Sequence, residues 1–315
     1  LSADDFILTD DGVEQKLRLE DDTDSQPLAL VVVVETGGSG VRRLDEYRNL
    51  GPILDAVVGN VPHRIAVVAF DSTPGLVQKF TPDVDQAART IGNLDEGDGR
   101  AAILDGIGFA VKLLRKQPPQ YRRAILLISE TLDNGSHMKL DDALRAIGDT
   151  NTAIYSIGFS SSRSRVANET SKLSSADPGP EHGCFSRDPD DPNVDLTVSR
   201  SAQYANCFAE LLPPLRLAKI AGILATNGLR RNVPKTVARL TGGEYFAFKD
   251  ARTLDRALLT ISNHIPNRYV LSFQPLSPHP GLHAIELKLK DRPNLVVEAR
   301  SAYWNDQDAG ATPKP

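Results

Sequence analysis

Glu35 ends an unbroken apolar run, Leu28 to Val34, and small or hydroxyl residues follow at once: Thr36, Gly37, Gly38, Ser39 and Gly40. A carboxylate, a hydroxyl and pliable backbone so close together suit three chemistries. They can cradle a phosphate on helix N-terminal amides, hold a hard cation through oxygens, or receive a partner's carboxylate. They also suit an ordinary strand-to-helix turn with Ser39 as the helix N-cap. The phosphate reading is weak. Gly37, Gly38 and Gly40 do not make G-x-G-x-x-G, no Walker lysine follows, and Glu35 would face the phosphate with the wrong charge. A nucleotide-binding Rossmann-type enzyme is therefore kept only as a rival. Nucleophilic catalysis by Ser39 would need a histidine base and an orienting acid, and no G-x-S-x-G is present. The six histidines, at 63, 137, 182, 264, 279 and 283, read as surface or core residues without metal-ligand spacing. No catalytic residues are assigned, and a non-enzymatic protein is expected.

Composition narrows the partners. The chain has 315 residues, 40% of them hydrophobic, enough for one large core or two smaller ones. A net charge of -5 without a long basic run lacks the footprint of a nucleic-acid binder, so nucleic acid is not expected as a partner. No window approaches the roughly 20 apolar residues of a membrane-spanning helix. The chain begins at Leu1 without an initiator Met, which reads as a processed or trimmed chain.

The elements that must position Glu35 alternate. Residues 28–34, 64–70, 122–129 and 152–158 are short, β-branched and nearly uninterrupted by polar groups, as buried strands are. Val41, Leu44, Leu50, Ile53, Leu54, Val57 and Val58 recur at helical spacing, as do Ile103, Leu104, Ile107, Val111 and Leu114. This is an α/β pattern with a mostly parallel sheet. GLVQKF at 75–80 follows the second strand after only DSTP, too short for a crossover, so one edge strand must run antiparallel.

The ends alternate with period two. Residues 5–20 surround an Asp11-Gly12 turn, and 268–273, 283–289 and 295–304 are three more strands. Neither end makes a stable sheet alone, so both should pair into one small β module. The expected division is 1–25 for the N-terminal part of that module and 26–266 for the α/β domain. Residues 267–305 complete the module, and 306–315 form a disordered tail. An insert at about 160–227 opens with a polar, Pro-rich stretch, 160–200, that reads as an exposed loop for partner contact. Two short helices broken at Pro213-Pro214 follow it. Cys184 and Cys207 both lie in the insert. A disulfide between them is expected over two lone thiols, and it would place the protein outside the reducing cytosol.

The alternation, the antiparallel hairpin and the end of the first buried strand resemble a von Willebrand factor type A (VWA) domain. More narrowly, DDFILTDDGVEQKL, ARLTGGEYFAF and the stretch from RYVLSF to ARSAYW resemble the VWFA-related proteins typical of acidobacterial genomes. The resemblance implies a Rossmann-like VWA fold and a metal-ion-dependent adhesion site built from Asp-x-Ser-x-Ser, a Thr and an Asp. Here those positions hold Glu35, Gly37 and Ser39, then Ala101 beside Arg100, then Glu130. The site is degenerate. Hard Mg²⁺ tolerates little distortion, so no cofactor is expected; a weak Ca²⁺ or Mg²⁺ would use Glu35, Ser39 and Glu130. Glu35 and Glu130 also read as plain paired carboxylates, one with a raised pKa. Arg100 is expected to turn into the cleft and neutralise one or both, against the alternative of an exposed Arg100. The resemblance implies a protein-binding or adhesion-type domain, exported to the periplasm, envelope or medium. Its partner, another protein, would meet Glu35, Gly37, Ser39, Arg100, Ala101 and Glu130. A cation-dependent ligand-binding VWA protein is the rival.

Overall fold

The computed structural model describes residues 1–20, 26–47, 51–161, 213–225, 232–265, 268–276, 279–291 and 297–305. A six-stranded sheet forms its centre. Its strands are β4 (Leu28–Glu35), β5 (His63–Phe70), β6 (Pro74–Thr81), β7 (Arg122–Glu130), β8 (Thr152–Phe159) and β9 (Tyr245–Ala247). They lie in the order β6-β5-β4-β7-β8-β9, all parallel except β6, which runs antiparallel along the edge of β5. This is the α/β architecture of a Rossmann-like VWA fold, and the short 71–73 turn forces the reversed edge as expected.

Period two sorts the β4 side chains into two cores. Leu28, Leu30, Val32 and Val34 pack with α1 (Gly51–Val58), α2 (Val84–Gly92) and α7 (Ala251–His264). Ala29, Val31 and Val33 pack on the other face with α3 (Ile103–Arg115), α4 (Leu140–Asp149) and α6 (Val233–Leu240). Every β4 residue is buried, Glu35 included. A strand sandwiched between two helical layers has no polar face, which explains the uninterrupted apolar run.

Several expectations need correction. The helical pattern from Val41 to Val58 is two elements, a 3-10 helix Gly40–Tyr47 and then α1, whose second residue is Pro52. Proline has no N–H and its ring crowds the preceding turn, so a single helix cannot run through it. Pro213 and Pro214 open α5 (Pro213–Ala225), the second of the two helices expected around them, where missing N–H groups cost little, and the helix expected before them lies outside the described residues. Among the described residues of the strand expected at 295–304, only Ala302–Asn305 pairs in the sheet, while Arg300 bridges to Thr241. Cys184, Cys207, most of the insert and the 306–315 tail lie outside the described residues.

The β module joins both ends of the chain. β1 (Phe6–Asp10), β2 (Val13–Glu14), β11 (Gly281–Leu289) and β12 (Ala302–Asn305) form a sheet in the order β12-β11-β1-β2. β3 (Leu17–Leu19) pairs separately with β10 (Leu271–Phe273). Asp11 and Gly12 turn the first hairpin with φ of 49° and 87°, the left-handed pair of a tight hairpin turn.

Candidate functional site

At the carboxyl end of the sheet, four loops meet over Glu35. Its side chain is fully buried, at 0% exposure. One oxygen, Oε1, accepts the Gly40 N–H at 3.0 Å, and the other, Oε2, accepts the Glu130 N–H at 2.6 Å. Glu130 sits at the end of β7, also buried, and takes a hydrogen bond from the Ser161 hydroxyl. Burial drives the Glu35 pKa up to about 8, the Glu130 charge adds to the rise, and the two amide donors oppose it. Near neutral pH Glu35 is thus a carboxylic acid. Below it, Tyr47 is buried without a hydrogen-bond partner among the described residues, and burial with the nearby Glu35 charge holds its phenol well above the usual range.

The loop after Glu35 is closed by its neighbours. The Gly37 amide points to the Phe70 carbonyl, the Gly38 amide to Asp98, and the Gly40 amide to Gly37 as well as Glu35. Those amides are therefore spent inside the protein and do not form a phosphate cradle. Gly38 has φ of 52°, a conformation side chains resist. A Cβ at Gly37 would stand 2.2 Å from the Arg100 carbonyl oxygen and 2.6 Å from Asp71 Cβ. The Gly37 position is thus filled by another loop.

Arg100 itself corrects an expectation. Its side chain is exposed, lying over Gly135 with Cδ 3.3 Å from where a Cβ would stand, and it does not enter the cleft. The neighbouring Ala101 is buried and exchanges backbone hydrogen bonds with Asn134, pinning the loop so that the adjacent side chain faces outward. The cleft needs no built-in cation, because a protonated Glu35 does not repel Glu130 as a charge would. Ser39 is partly buried and makes no hydrogen bond among the described residues, so it does not cap the helix that follows.

The sequence brings Glu35, Gly37, Ala101 and Glu130 together, but they form a buried knot with Ser39 and Arg100 at its rim. This donor set does not fit a divalent cation. Both Glu35 oxygens already accept amides, and the Gly37 position has no room for a ligand side chain.

The remaining loops are tied to the same face. The α3 N-cap, Ala102, has no side chain able to cap, and the 133–136 loop supplies the acceptors. Asp133 Oδ1 accepts the Leu104 N–H at 3.2 Å, and Ser136 Oγ accepts it at 3.0 Å while donating to Asp133. In return Asp105 accepts the His137 and Met138 amides. Asp95, Glu96, Asp98 and Arg100 form the exposed rim. The Ser72 hydroxyl and the Arg100 amide hold the Asp98 carboxyl below its usual range.

Two features were missed by sequence reading. The first is a cavity of about 1380 Å³ that opens at the opposite end of the sheet between Leu28, Arg122, Tyr155, Arg268, Tyr269 and Trp304. It contains none of the candidate residues. The second is a cluster of Asp11, His279 and His283 in the β module, whose ligand atoms all lie within 4.8 Å of one another. His279 is exposed and His283 buried, the surface and core positions expected of them, but the fold adds a carboxylate beside the pair. Their HPGLH spacing was visible, but the carboxylate comes from the other end of the chain.

Comparison with known families and with curated proteins returns no match. Among solved structures, the chain is similar to the conserved hypothetical protein BatB from Bacteroides thetaiotaomicron, at 13% identity over 76% of this chain and 100% of that one, with a TM-score of 0.43. It is also similar to an aerotolerance-related membrane protein from Bacteroides fragilis, at 14% identity, 75% and 99% coverage and a TM-score of 0.41. The SpRpn10 VWA domain matches at 15% identity over 42% of this chain and 76% of its own, with a TM-score of 0.35.

Proposed function

We propose that this chain is a non-enzymatic protein-binding domain of the VWA type that engages its partner without a metal ion. The contact surface is the rim at the carboxyl ends of the strands, where Asp98, Arg100 and Ser39 reach solvent. The observation that carries this reading is the state of Glu35: buried, held by two amides and raised to a pKa of about 8. A family site that works through a cation needs an open, charged carboxylate there. This one is closed and neutral, so recognition falls to the surrounding loops, which rigid scaffolds commonly use for binding. The same burial keeps Glu35 from reaching a substrate as a general acid, which supports a non-enzymatic role.

The test is capture of a partner from envelope extract by the full chain, with chelator present, compared with Asp98→Lys and Arg100→Glu variants. Chelator-resistant capture lost in the charge reversals is the expected outcome. Capture that requires Ca²⁺ or Mg²⁺, or saturable binding of either ion lost in Glu35→Gln, would replace this reading with the cation-dependent one. Export is part of the proposal, and a Cys184–Cys207 bridge found by mass spectrometry of unreduced peptides would support it.

A further inference from the structure

In the β module, far from the strand-end loops, two histidine rings and two carboxylates meet in an arrangement that neutral side chains cannot satisfy. His283 is 1% exposed. Its Nε2 lies 2.8 Å from the His279 carbonyl oxygen, which only accepts, so Nε2 must carry hydrogen. Its Nδ1 then faces two further acceptors, Asp10 Oδ1 at 3.1 Å and Asp11 Oδ2 at 3.0 Å. His279 repeats the pattern. Its Nδ1 faces the Pro280 carbonyl at 3.3 Å and its Nε2 faces the same Asp11 Oδ2 at 3.1 Å. A neutral His283 aims a lone pair at both carboxylates, and a neutral His279 can serve only one of its two acceptors. Positive charge between the rings and the carboxylates satisfies both.

One proton would satisfy His283 alone, and a second, making both rings imidazolium, would set two stacked cations with centroids 3.9 Å apart to repel. One divalent cation removes both conflicts. Histidines that bind metal through one nitrogen usually donate from the other to a carbonyl or carboxylate, and each ring here has a backbone carbonyl beside its other nitrogen. The carboxylates are also set in place. Asp11 Oδ1 accepts the Ala284 amide at 2.9 Å, leaving Oδ2 for the cluster, and Asp10 Oδ2 accepts the Tyr303 hydroxyl at 2.8 Å. Tyr303 pairs with His283 across β11 and β12 and stacks on its ring at 4.7 Å. His279 is half-exposed, which gives an ion a route in.

We propose that Asp11, His279 and His283 form a transition-metal site of the class that takes Zn²⁺, stapling the N-terminal hairpin to the C-terminal strands. Mixed imidazole and carboxylate donors suit Zn²⁺ or Ni²⁺ over Mg²⁺. Three protein ligands leave a fourth position for water, and Asp10 offsets the remaining charge. The site is separate from the Glu35 cleft and does not depend on how the partner is bound.

Titration calorimetry and thermal unfolding of the full chain, stripped with chelator and given Zn²⁺, test it. One saturable site is expected, with a rise in Tm reversed by chelator, and Co²⁺ should give the visible absorption of a nitrogen- and oxygen-ligated ion. His279→Ala and Asp11→Asn should each weaken binding at least tenfold while leaving the far-ultraviolet spectrum of the metal-free protein unchanged. His279 is half-exposed and asparagine tolerates the left-handed turn, so neither change should unfold the chain. A Cys184→Ser/Cys207→Ser variant should bind as the parent does. Absence of saturable Zn²⁺ binding, or binding that survives both cluster variants, overturns the proposal and leaves a single imidazolium at His283.

Discussion

At the scale of single residues, Glu35 decides the character of the strand-end face. Below pH 4.5 it is protonated in both folded and unfolded chains; as pH rises the unfolded chain releases the proton while the folded one keeps it to about 8. The folded state therefore loses stability across that window and levels off above it, by up to about 5 kcal/mol at 1.36 kcal/mol per unit. Glu35→Gln removes this slope. It also sets an NH₂ against a backbone N–H, at a cost of roughly 1–3 kcal/mol. Urea unfolding should therefore find Glu35→Gln weaker than the parent at pH 5, with the gap closing or reversing by pH 9. A gap constant with pH would contradict the neutral acid. Gly37→Ser, which places a hydroxyl beside Glu35, should destabilise by about 1–3 kcal/mol or more, because its Cβ meets the Arg100 carbonyl, and should gain no Mg²⁺ binding by calorimetry. The sequence made Glu35 visible as a carboxylate closing an apolar run. It could not reveal where Arg100 points, since that follows from the Ala101–Asn134 pairing, a contact between loops distant in sequence.

At the scale of elements, the strands were legible because burial on both faces leaves a dense β-branched signal in a single short run. Helix ends were less so. The break between the 3-10 helix and α1 depends on Pro52, which an apolar-spacing argument passes over. The α3 start carries no cap in its own sequence, because its acceptors, Asp133 and Ser136, arrive from another loop. Asp133→Ala should accordingly cost about 1–2 kcal/mol, as loss of a helix cap does. Chemical denaturation measures that cost, and hydrogen exchange should localise the loosening to the first turn of α3. An unchanged midpoint would mean that Ser136 alone suffices.

At the scale of the whole molecule, the chain closes on itself. Strands from both ends pair, with Phe6 opposite Leu289 and Asp10 opposite Ile285. Period-two patterning at each end, and the shortage of strands at either, made this pairing readable in advance. The histidine cluster was not readable, because its donors come from both ends of the chain. Removing residues 1–14 should leave β11 with a bare edge, and size-exclusion chromatography should then find aggregation or a marked fall in stability. A truncated chain that stays monomeric with the parent's urea midpoint would make the module dispensable. The chain also closes at the other end, where the loops seal Glu35. A carbon-13 NMR titration of the Glu35 carboxyl, assigned by its loss in Glu35→Gln, tests that claim most directly. The account predicts a midpoint near 8 that excess Mg²⁺ or Ca²⁺ does not move, and a midpoint near 4.5, or one that either ion lowers, would contradict it.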